Sequence, residues 1–95
     1  MAVVSEFDAR IEMKGFIDRS RAHYADWYVG VAADAERKLT EEHGVQESDW
    51  WIVRRLATAE AARRVAAHFH DLGCEGAAGE GEAAYAYWKR GHTRP

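Results

Sequence analysis

The segment from Thr58 to Gly73 constrains this chain more than any other. Ala62, Val65, Ala66, Phe69 and Leu72 recur at i, i+3, i+4 and i+7 spacing, so Ala59 to Leu72 reads as a helix with one apolar stripe. Thr58 supplies an N-cap hydroxyl, and Gly73 stands where the chain must leave the helix. Arg63, Arg64, His68 and Asp71 fall mostly off the stripe, towards solvent. Such a helix needs an apolar surface to lie on, and short aromatic and β-branched runs on either side supply one. Trp50 to Leu56 precedes the helix, and its early part is apolar on both faces, which predicts a central strand. The alternating run Ala84 to Trp88 follows and reads as the last strand.

The amino-terminal half is read in the same way. Ile11, Met13 and Ile17 alternate with Arg10, Glu12 and Lys14, so Arg10 to Asp18 reads as a half-buried strand interrupted at Gly15. Trp27 to Val31 reads as a second strand, antiparallel to the first. Asp34 is placed to cap a helix over Ala35 to His43, with Gly44 in the left-handed position beyond it and Val45 folding back on Leu39. The order ββαβαβ predicts an α+β fold, a small antiparallel sheet with two helices on one face. Residues 1–95 form one domain on this reading, with a core over about 9–89 and a polar, frayed tail from Arg90 to Pro95.

Composition narrows the function. The chain is 47% hydrophobic, enough apolar surface for an ordered domain. Its formal net charge of −3 carries no general basic excess, so contact with phosphate would require a local patch. Met1 to Phe7 lacks the basic and apolar regions of a signal peptide, and no stretch approaches the roughly 20 apolar residues of a membrane span. Cys74 is the single cysteine, so no intramolecular disulfide forms and a cytoplasmic location fits. His68 and His70, two apart on a helix, point away from each other, and His70 with Cys74 is too few ligands for structural zinc; no metal site is assigned there. The loop from Gly73 to Glu82 carries Glu75, Glu80 and Glu82 and lacks the Lys-Ser/Thr of a phosphate cradle. It reads as a mobile connection whose acidity suits a basic partner.

Tyr28-Val29-Gly30, followed by Asp34, Arg37, Leu39 and His43, resembles the second signature of the GIY-YIG nuclease family, with Gly15-Phe16-Ile17 near the place of the first triplet. The resemblance spans roughly Gly15 to Leu72. It implies a three-stranded antiparallel core and phosphodiester hydrolysis with one divalent metal, Mg²⁺ or Mn²⁺. It would give Tyr28 the tyrosine role at the attacking water, Arg37 or Lys38 the cationic role and His43 a supporting one. The chain departs from the pattern at several positions. Lys38 falls where the arginine is expected, with Arg37 one position early, His43 is displaced by one, and the chain has no Asn. Ile17 stands in place of a tyrosine, and Arg64-Val65-Ala66-Ala67 offers no carboxylate where the family holds its metal.

Arg54, Arg55, Arg63 and Arg64 form the densest cationic group. They would converge on one edge with Trp50, Trp51 and Tyr28 nearby, holding phosphate and stacking a base. The expectation is therefore a GIY-YIG-like domain without nuclease chemistry, acting by binding nucleic acid or a protein partner, with a homodimer as a possible form. Two alternatives stay open. One is an active endonuclease drawing a carboxylate from Glu60 or Asp71, and the other is a small acidic interaction or inhibitor module.

Overall fold

The computed structural model describes residues 2–77 and 79–95. In chain order the elements are α1 (Glu6–Ser20), a short 3-10 turn (Tyr24–Asp26), β1 (Trp27–Ala32), α2 (Ala35–Glu41), β2 (Trp51–Arg55), α3 (Ala59–Asp71) and β3 (Ala83–Trp88). The fold is α+β, three helices with a three-stranded antiparallel sheet.

The strand expected over Arg10 to Asp18 is instead part of helix α1, so the order is αβαβαβ. Ser5 caps it by accepting from the Asp8 amide at 3.0 Å, with Glu6 and Asp8 in the first turn where the helix dipole favours acids. Ala9, Met13 and Ile17 are the buried set, spaced by four. Ile11, which created the apparent alternation, is 54% exposed. Gly15, expected to interrupt a strand, lies inside this helix, where a glycine costs about 1 kcal/mol relative to alanine.

The sheet order is β1-β3-β2, so the last strand lies at the centre and β2, expected there, lies at an edge. β3 merits the centre because Ala84 and Ala86 face one side and Tyr85 and Tyr87 the other, and all four are buried. The two-sided apolar character of β2 has a different cause. Ile52 faces the cluster formed with α1 and α3, while Val53 faces the cluster formed with α2. Helices therefore cover both faces of the sheet, not one as expected.

The cap at Thr58 forms as expected, its Oγ1 accepting from the Ala61 amide at 3.0 Å. Ala61, Ala62, Val65, Ala66 and Phe69 are the buried face of α3. Leu72, expected on that stripe, sits past the last helical residue and is 38% exposed. Asp34 caps α2 through the Arg37 amide, Gly44 has φ 69°, and the Val45 amide reaches the Leu39 carbonyl at 2.9 Å. Among the described residues no helix is long and apolar enough to cross a membrane.

Candidate functional site

The sheet face beneath α2 gathers the polar aromatic groups. Alternation along the strands sends Tyr28 from β1 and Tyr85 and Tyr87 from β3 to that face. His43, just beyond α2, is 4% exposed among them. Its Nδ1 lies 2.6 Å from the Arg94 carbonyl, which can only accept, so Nδ1 carries the proton. Nε2 then accepts from the Tyr85 hydroxyl at 2.7 Å. Tyr87 donates to the same Arg94 carbonyl at 3.0 Å, and the Arg94 amide returns a bond to the His43 carbonyl at 2.7 Å. The tail expected to fray is thus tied to the sheet, with His92 also against Asp49 at 2.6 Å.

Tyr28 stacks on Tyr87 with ring centroids 5.3 Å apart and lies 4.8 Å from the His43 ring. Gly30 lies directly opposite Tyr85 in the ladder, and a Cβ there would stand 2.6 Å from the Tyr85 hydroxyl. The glycine makes room for a cross-strand ring, not for a helix. Burial holds His43 below the usual histidine range and keeps Tyr85 and Tyr87 well above the usual phenol range. Tyr28 is raised by burial and by the charges of Glu75 and Glu42. The cluster is neutral, and both nitrogens of its imidazole are engaged.

The residues assigned by resemblance separate. Tyr28 and His43 come together, and Lys38 lies close enough for its charge to lower His43. Arg37 turns to solvent and pairs with Glu41 at 2.5 Å, 70% exposed. Ile17 is buried in the cluster on the opposite face of the sheet from Tyr28. Glu60 pairs with Arg64, and Asp71 ends α3. Among the described residues no group of three or more His, Cys, Asp or Glu side chains is placed to hold a metal ion.

The four arginines do not converge. Arg54 bonds Glu12 of α1 at 2.5 Å and the Val53 carbonyl at 2.8 Å. Arg55, its neighbour in the strand, points to the other face and reaches the Ala33 carbonyl. Arg64 lies between Glu6 and Glu60, and Arg63 lines a cleft with Val31 and His70 at the far side of the molecule. Trp50 lies 5.2 Å from Phe16 and 6.2 Å from Trp88, while Trp51 packs against the α2 cluster. Tyr28 shares the α2 face with Trp51, the two flanking Tyr87 from β1 and β2, but β3 separates their strands and Trp50 lies with the cluster on the other face.

His70 donates to the Val29 carbonyl at 2.8 Å, and burial pushes the Cys74 thiol up to about 11. Glu75 exchanges backbone bonds with β1, accepting from Val29 at 2.8 Å and donating to Trp27 at 2.9 Å. The glycine loop therefore covers the outer edge of β1 at Glu75, where a mobile connection was expected.

Among the described residues no counterpart covers most of β2. Trp88 donates to the Trp50 carbonyl and Leu56 donates to the Glu82 carbonyl, so residues 50, 52, 54 and 56 turn their backbone groups towards β3. Residues 51, 53 and 55 turn theirs outward. The Arg55 carbonyl accepts from Val4 at 2.9 Å, and the Val53 carbonyl is taken by Arg54. Among the described residues the Trp51 amide, the Trp51 carbonyl and the Val53 amide have no partner and face an open groove. The sequence carried a signal for this edge, the one strand that ends in two arginines, but edge position needs the strand order. Comparison of the chain with protein-family models, with curated proteins and with solved structures gave no match.

Proposed function

We propose that this chain is a non-catalytic α+β domain that acts by binding another protein. The open edge of β2 carries the reading: outward backbone groups lie in a groove walled by α1 and α2. Two further observations support it. Both nitrogens of His43 are already engaged, which leaves no base beside Tyr28 to take a proton from water. Arg54 and Arg64 are each neutralised by glutamate, which weakens a phosphate-binding edge in a chain of net charge −3.

A second reading, a GIY-YIG endonuclease, is favoured by one observation, the contact between Tyr28 and His43. The two separate in one experiment. Supercoiled plasmid and branched DNA are incubated with Mg²⁺ or Mn²⁺, and binding to both is titrated against salt. The protein-binding reading expects no cleavage and no salt-dependent retention. Metal-dependent nicking that Tyr28→Phe abolishes would replace it with the nuclease.

A further inference from the structure

The geometry points to the outer edge of β2 as a strand-addition site for an extended, basic peptide segment with an apolar anchor. This rests on the protein-binding reading above. An added strand meets the outward Trp51 amide, Trp51 carbonyl and Val53 amide, which is the backbone pattern by which sheets accept an extended partner. The groove along that edge holds about 430 Å³ between Glu12, Phe16 and Arg19 on one wall and Glu36 on the other. The segment 2–4, bridged to Arg55, closes one end and limits the site to a few residues.

The side chains of an added strand alternate between the two walls. On the α2 side they drop towards a cavity of about 280 Å³ lined by Leu39, Val45 and Trp51, apolar at its base. Its rim carries Glu36 and Glu47, neither paired with a cation among the described residues. An apolar residue entering the cavity with lysine or arginine beside it satisfies both features. The same rim disfavours a second copy of this chain. Two-fold pairing of β2 with itself keeps the α2 sides together and brings the acidic rims towards each other.

The test uses the full chain and two heptapeptide pools, one alternating Lys with Val, Ile, Leu or Phe and the other with Glu in place of Lys. Backbone amide shifts and hydrogen exchange are followed on titration. The Lys pool is expected to shift and protect the Trp51 and Val53 amides and to bind at least tenfold more tightly than the Glu pool. Glu36→Lys with Glu47→Lys, the first half-buried and the second exposed, should abolish or reverse that preference while the spectrum stays folded. Trp51→Pro, which removes an outward amide and no ladder bond, should weaken the Lys pool as well.

Equal response to both pools, or shifts on α1 around Phe7 and Ile11 instead, would overturn the edge assignment. Concentration-dependent shifts at Trp51 with dimer mass in sedimentation would overturn it in favour of a second copy. None of these outcomes requires DNA cleavage or salt-dependent DNA binding. Failure of the edge is therefore distinguishable from failure of the protein-binding reading.

Discussion

The two faces of β3 meet their helices by opposite means. On one, Ala84 and Ala86 are small enough to let α1 and α3 lie close, and the contacts with Met13, Ile17, Val65 and Phe69 are apolar. On the other, Tyr85 and Tyr87 are large and carry hydroxyls that need partners, which His43 and the Arg94 carbonyl provide. The first face depends on volume. The second depends on individual hydrogen bonds, and it uses them to hold a chain end that lies 51 positions from His43. The seven-residue helix α2 is too short to be stable alone, so this bonding also anchors it.

The largest expected effect falls on the apolar face. Phe69→Ala, at 0% exposure, should cost about 3–5 kcal/mol in urea unfolding, since it leaves a cavity that α1 and the sheet cannot fill by collapse. A cost below about 1 kcal/mol would show that this face is not closely packed.

On the tyrosine face, His43→Ala should cost about 1–3 kcal/mol by leaving the Tyr85 hydroxyl and Arg94 carbonyl short of partners. It should also speed amide exchange at Arg94, which the apolar-face variant would not do selectively. Gly30→Ala tests the same face by volume. Its Cβ collides with the Tyr85 ring, and a loss of about 1–3 kcal/mol should shrink when Tyr85 is first replaced by Val.

Acid sharpens the contrast further. The neutral form of His43 is the one the folded state favours, so its folded value lies below its unfolded one. The stability it contributes is therefore complete above about pH 6.5 and declines as pH falls towards the folded value. Between pH 7 and 5 the native chain should lose stability more steeply than His43→Gln. Parallel curves would show that His43 does not titrate against folding. The smallest effect belongs to Arg37→Ala, whose exposed pair with Glu41 should leave the melting temperature unchanged.

The edges of the sheet repeat the lesson. The outer edge of β1 is paired with the backbone of Glu75 at Trp27 and Val29, and that of β2 is left open over Trp51 and Val53 among the described residues. A segment rich in glycine and glutamate, read as a loose connection, is an edge cover. A strand read as central because both its faces are apolar is the exposed one. In both cases composition reported the surroundings of the side chains and was silent about the direction of the backbone groups.

Local rules were enough wherever a few adjacent residues decide the outcome. Asp34, Thr58 and Gly44 marked helix ends because a cap is made within three or four residues, and the stripe on α3 was legible because its period is short and complete. The same rules failed over Arg10 to Asp18, where Ile11 is apolar yet exposed and so blurred the phase of Met13 and Ile17. Of the site, Tyr28 and His43 were singled out by resemblance, but their partners Tyr85, Tyr87 and Arg94 were not. No local pattern links a histidine after α2 to tyrosines more than forty positions later. What the sequence determined alone was composition class, caps, most elements and the pairing of apolar stripes with something to cover. Tertiary structure decided strand order, the edge left open and the partners of His43, because these depend on which distant segments meet, and chain closure is governed by the whole fold's packing.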